Sequence, residues 1–269
     1  MRISVLGFSV VLGGLLGAVS PTFACGPDTD CELGNRHYRI SSVENAPNGA
    51  IVFAHGYRGS AAGMMRNMNL RNMVDEMGLA FITVKSLRDD WAIPNAPSDL
   101  NSDGESEFAY FEDVLKDVEK RFGLDRSQVM MTGFSAGGMM VWELACNRPN
   151  LFAGFAPIAG TFWKGPPQTC VAPANIVHIH GTSDRTVPLT GRRIGRTKQG
   201  SVPDTLEMYR DFGSFADVER VAVQSMECQR EANADGRVLE FCTHPGGHSF
   251  SRSYLKYAWT RLENAGAFQ

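Results

Sequence analysis

Between residues 37 and 264, short apolar runs alternate with stretches in which apolar side chains recur every three to four positions. A short apolar run bounded by Gly, Asn or Asp reads as a buried strand, and the 3.6-residue recurrence as a helix with one buried stripe. The runs predict strands over His37–Val43, Ile51–His55, Leu79–Val84, Gln128–Thr132, Phe152–Ile158, Ile176–Ile179, Val218–Ser225 and Val238–Thr243. Helices are predicted over Ala61–Met77, Glu105–Phe122, Ala136–Cys146 and Ser249–Asn264. The second is the sharpest: Phe108, Phe111, Leu115 and Val118 share a face, and Gly123 closes it. No element is assigned between Ile179 and Val218. Strands alternating with helices imply an α/β fold with a mostly parallel central sheet covered by helices on both faces.

The first residues follow a different pattern. Arg2 precedes an uncharged Leu/Val/Gly-rich run, Val5–Val19, and Thr22 and Ala24 stand where small residues precede a cleavage site. Residues 1–24 therefore read as a secretory signal peptide, and 25–269 as a single catalytic domain, extracellular or periplasmic. The run is too short for a convincing membrane span, and no later stretch is long and apolar enough for one. Lipid attachment at Cys25 is disfavoured, because Thr22 stands where such a site usually carries Leu. The formal net charge is −3, and −4 without the leader, which argues against a nucleic-acid partner. In an exported chain the six cysteines can form disulfides. Six allow 15 connectivities. The simplest choice joins sequence neighbours: Cys25–Cys31, Cys146–Cys170 and Cys228–Cys242.

The chemistry-bearing positions lie at the ends of predicted strands. Gly133-Phe134-Ser135-Ala136-Gly137 follows an apolar strand and opens a helix, the setting of a nucleophile elbow. Flanking glycines relieve clashes at that turn, and the helix N-terminus aims N–H groups at a developing oxyanion. His55-Gly56-Tyr57 follows an earlier strand, so the Tyr57 and Ala136 N–H groups are the expected oxyanion donors. Asp184 follows a strand and Gly181, and His248 follows Gly246-Gly247 ahead of the last helix. Ser135, Asp184, His248 is the chain order of α/β-hydrolase triads. His244 competes with His248 but reads as structural at a strand end, as His55 does in its loop. His178 and His180 share a strand face, one packed and the other in a loop. With no zinc-type Cys/His spacing, no metal and no cofactor are expected. Trp91 and Trp163 fall in loops where ligand sites open and are candidate pocket walls. Arg192, Arg193, Arg196 and Lys198 form a basic cluster, normally a solvated loop, that could steer an anionic substrate.

With these motifs in place, the chain resembles the secreted polyhydroxybutyrate depolymerase and feruloyl esterase group of α/β-hydrolases. The matching residues are Cys25 to Cys31, His55-Gly56, Gly133 to Gly138, Arg148 to Ala153 leading to Pro157-Ile158-Ala159-Gly160, His180 to Pro188, and Gly246 to His248. The resemblance implies an ester substrate, most directly a polyhydroxybutyrate or 3-hydroxyalkanoate oligomer. The alternative is a feruloyl or acetylated ester on plant polysaccharide. Polymer-degrading members often carry a linker and a polymer-binding domain, so oligomers or soluble esters are the expected substrates here. Two readings of other classes compete: a serine peptidase of the prolyl-oligopeptidase type, and a non-catalytic binding protein on a hydrolase fold. The first usually needs a large extra domain. The second leaves an intact Ser, Asp and His set unexplained.

Overall fold

A computed structural model of the protein describes residues 25–41 and 47–268. The leader reading of residues 1–24 and the end of the strand expected over 37–43 lie outside the described residues. A ten-stranded sheet forms the body. In chain order its strands are β1 (Cys31–Leu33), β2 (Arg36–Ile40), β3 (Ala50–Ala54), β4 (Ala80–Val84), β5 (Val129–Phe134), β6 (Gly154–Ile158) and β7 (Ile176–Gly181), then, after a two-strand ribbon, β10 (Ala216–Val223), β11 (Met226–Ala232) and β12 (Val238–His244). The ribbon is β8 (Arg193–Ile194) and β9 (Thr197–Lys198), paired antiparallel. Across the sheet the order is β1-β2-β4-β3-β5-β6-β7-β12-β11-β10. From β4 to β12 neighbours run parallel; the pairs at both margins are antiparallel.

The central strands are apolar on both faces because both faces are covered. In β3, Ala50, Val52 and Ala54 face one apolar layer, while Ile51 and Phe53 face the other. Helices α3 (Glu105–Phe122), α4 (Ala136–Asn147) and α5 (Val202–Gly213) cover the first side. Helices α1 (Ala61–Met65), α2 (Met68–Glu76) and α6 (Arg252–Asn264) cover the second. The helix expected over 61–77 is thus two, because the Asn67 side chain caps the Leu70 N–H and starts a new one. Three disulfides, Cys25–Cys31, Cys146–Cys170 and Cys228–Cys242, join the cysteines as nearest neighbours. The last bridges directly opposed residues of β11 and β12.

Glu143 of α4 is buried, with Asn147 as its hydrogen-bond partner, and burial pushes its carboxyl up to about 8. A folded-state value above the unfolded one, near 4.3, means this site favours folding at low pH and loses that advantage as pH rises toward 8. Glu143→Gln removes the titration and keeps an acceptor for Asn147. The variant is therefore expected to gain about 3 kcal/mol on the wild type between pH 5 and pH 8. Urea unfolding at the two pH values checks this; a constant difference would refute it.

Candidate active site

The site is built at the carboxyl ends of β5, β7 and β12, where ligand crevices open in such sheets. Ser135 follows β5 directly and holds φ 61°, ψ −120°, a strained conformation for a side-chain-bearing residue. Its N–H donates to the Ile158 carbonyl at 2.9 Å, and its carbonyl accepts from Met139 N–H at 3.0 Å. The glycines make this turn possible. A Cβ at Gly133 would meet the Gly137 carbonyl, and one at Gly137 would run into the Ala54 carbonyl oxygen. The helix after the serine is thereby pressed against the end of β3.

Asp184 is buried in the turn after β7. Its Oδ1 accepts from the N–H groups of Thr186 and Val187, both at 2.8 Å, and its Oδ2 lies 2.6 Å from His248 Nδ1. His248 Nε2 lies 2.9 Å from Ser135 Oγ. The loops carrying acid and base are stitched together: Thr182 N–H donates to the His244 carbonyl and Ser183 N–H to that of Gly246. This close approach needs Gly181, since a Cβ there would meet the Gly246 and Gly247 carbonyls. Phe134 packs on the His248 ring with centroids 4.6 Å apart. The three residues expected from their motifs are therefore one hydrogen-bonded chain.

Other expected residues divide. Tyr57, Ala136 and Trp163 line a cleft of about 480 Å³ together with Ser135. Gly56 brings its backbone against the nucleophile, since a Cβ there would lie 3.5 Å from the Ser135 Cβ. Trp91 does not line the cleft. It is fully buried, donates Nε1–H to the His55 carbonyl at 2.9 Å and packs on His55 and Phe111. It holds the Gly56 loop from behind, because the segment that carries it folds inward under α3. His55 is structural: Nδ1–H reaches the Gly56 carbonyl, Nε2 accepts from Ser86 N–H, and burial lowers it to about 4. His244 accepts from Gly246 N–H and stacks on Tyr254.

His180 is not a loop residue. β7 extends through Gly181, and His178 and His180 are both buried and stacked, with centroids 5.2 Å apart. Trp142 is a donor only, so His178 Nδ1 accepts from it at 3.0 Å. That leaves the His178 Nε2–H to donate to His180 Nδ1 at 3.0 Å, and His180 Nε2–H to the Val187 carbonyl at 2.8 Å. Burial holds both rings below their ordinary value, in the neutral form. Every tautomer in this line is thus fixed, and its end grips the loop whose N–H groups orient Asp184. The sequence offered only the two-residue spacing of the histidines as a signal. Nor was Asp90 anticipated: it lies in the cleft wall, and burial pushes its carboxyl up to about 6. Among the described residues, ligand atoms with metal-like spacing gather at Cys228, Glu240 and Cys242, where both sulfurs are joined in the disulfide.

The sequence profile of the phospholipase/carboxylesterase family matches residues 35–199. NocK of Nocardia uniformis, whose name carries a provisional esterase assignment, is 27% identical over 249 residues, covering 82% of this chain and 72% of NocK. A protein of Aspergillus terreus named probable feruloyl esterase C is 27% identical over 267 residues, covering 89% of this chain and 88% of that one. The acetyl xylan esterase structure from Aspergillus awamori superposes with TM-score 0.62 at 15% identity, over 88% of this chain and 96% of that one. That likeness carries the fold, while the profile carries the kinship. A hydrogen-bonded Ser135–His248–Asp184 chain on this sheet accords with both: the protein is an esterase-type hydrolase with the α/β-hydrolase fold and belongs to the phospholipase/carboxylesterase family.

Proposed function

We propose that this protein is a secreted serine esterase that works through an acyl-enzyme, with residues 25–269 as its catalytic domain. The supporting observation is the unbroken line from Ser135 Oγ through the His248 ring to Asp184 at 2.9 and 2.6 Å. In this reading Ser135 attacks the ester carbonyl carbon while His248 Nε2 takes its proton. The carbonyl oxygen, now an oxyanion, is held by the N–H groups of Tyr57 and Ala136. Ala136 opens α4, so its N–H has no acceptor within that helix. His248 then protonates the leaving alcohol as the C–O bond breaks. A water enters, loses its proton to His248 and frees the acid. Asp184 keeps the Nδ1 proton in place and stabilises the imidazolium.

The relatives named above support feruloyl or acetyl esters on plant polysaccharide as substrates. Esters of 3-hydroxyalkanoate oligomers are the second reading, since the basic cavity described below would also suit their free carboxylate terminus. Export is supported by the three disulfides, which persist in oxidising compartments. No helix among the described residues is long and apolar enough to cross a membrane. A fluorophosphonate probe followed by peptide mapping tests the central claim. It is expected to label Ser135 alone and to be slowed by excess ester present during labelling; an unlabelled, folded protein would overturn it.

A further inference from the structure

Beside the catalytic cleft lies a second cavity, of about 490 Å³, that shares Arg192 and Gln199 with it as a common wall. Five cations line it: Lys164, Arg192, Arg193, Arg196 and Lys198. One carboxylate, Asp204, also lines it and accepts from Ser201. None of the five cations is ion-paired with a carboxylate among the described residues, whereas Arg36 pairs with Glu107, Arg210 with Glu231 and Arg261 with Glu240. In a protein of net charge −3 this is a marked local excess.

The cluster is not a loose loop. β8 and β9 hold it as a ribbon pinned to the site from three sides. Thr197 Oγ1 donates to the Asn95 carbonyl at 2.9 Å, and Gly200 N–H to that of Phe162 at 2.8 Å. Lys164 N–H donates to the Lys198 carbonyl at 2.7 Å, beside the pairing of Trp163 with Gln199. Arg192 Nε–H reaches the Thr186 carbonyl at 2.7 Å, two residues from Asp184 in the loop that orients it. Arg192 thus connects the acid loop, the cleft and the cationic cavity. Like charges held together repel one another, and a concave wall focuses their field on whatever enters.

We infer that this cavity is a subsite for a carboxylate carried by the substrate, one position away from the ester that reaches Ser135. This rests on the esterase reading and narrows it to anionic esters. A carboxylate there has two chemical sources: the free terminus of a hydroxy-acid oligoester, or a uronic acid on an esterified polysaccharide. Bidentate arginine suits either.

Two substrate pairs decide between them. One is the 3-hydroxybutyrate dimer against the same dimer capped as its amide. The other is an acetylated xylo-oligosaccharide with and without glucuronic acid. Within at least one pair the acid is expected to have a kcat/KM about tenfold above its neutral partner at low salt. The pair that shows it names the source. The triple variant R193A/R196A/K198A, altered on the exposed ribbon, is expected to bring that ratio close to one, as is 0.5 M NaCl in the wild type. Calorimetric binding of the two acids to the Ser135→Ala protein reads the cavity without turnover, so a failed esterase reading would not hide the result. Equal kcat/KM within both pairs, or a ratio unchanged in the triple variant, overturns the inference and leaves the esterase reading standing. Where no ester turns over, absence of binding that depends on the three cations overturns it instead.

Discussion

Ser135→Ala is expected to lower kcat for ester hydrolysis by about 10⁴-fold or more while the protein stays folded. The loss is large because the three linked residues act as a unit: without Oγ there is no bond for His248 to activate, and the oxyanion donors act alone. The fold should be indifferent. The hydrogen-bond partner of Ser135 Oγ is His248 Nε2, and Ser135 itself lines the open cleft. The positive φ is a strain of the backbone, which Ala bears as Ser does. Steady-state kinetics and thermal unfolding on the same preparation check both halves. A folded variant within tenfold of wild-type turnover would remove Ser135 from the mechanism.

Asp184→Asn should cost about 10⁴-fold in kcat, and the structure says why the amide cannot compensate. Oδ1 accepts two backbone N–H groups, from Thr186 and Val187. An asparagine must therefore keep its oxygen on that side and turn its NH₂ toward His248. That NH₂ meets Nδ1 as a donor, so His248 must accept there and carry its proton on Nε2. Nε2 is the atom 2.9 Å from Ser135 Oγ, and a protonated Nε2 cannot take the serine proton. Burial and shape are preserved, so stability should change far less than rate. Near-normal turnover by Asp184→Asn would show that the acid does not set the tautomer.

Much of this was legible in the residues, for identifiable reasons. Helix α3 has the predicted bounds because its apolar stripe is regular and Gly104 and Gly123, both at positive φ, stop it at each end. The parallel strands were legible as apolar runs because both of their faces are buried. β11 was not: Met226–Ala232 carries Glu227, Arg230 and Glu231, near the margin of the sheet. Glu231 is buried there only because Arg210 of α5 reaches it with two hydrogen bonds. That helix also escaped the periodicity, although Ser201 and Pro203 are an ordinary start signal. The meeting of Ser135, Asp184 and His248 was legible because each sits beside glycines, which close backbone contact demands at Gly133, Gly137 and Gly181. Trp91 was misread, since whether a loop folds inward is settled by what covers it. The direction of the Trp142–His178–His180 line is likewise a three-dimensional fact.

The placement of β12 against β7 has a temporal consequence. The serine and its histidine are 113 residues apart, and the last strand must insert beside β7 before the two can meet. A growing chain therefore completes the Ser135 turn and the Asp184 turn first, and carries His248 only when synthesis has passed position 248. In the proposed mechanism Ser135 has no proton acceptor until that strand docks, so a chain that ends short of β12 is expected to be inactive.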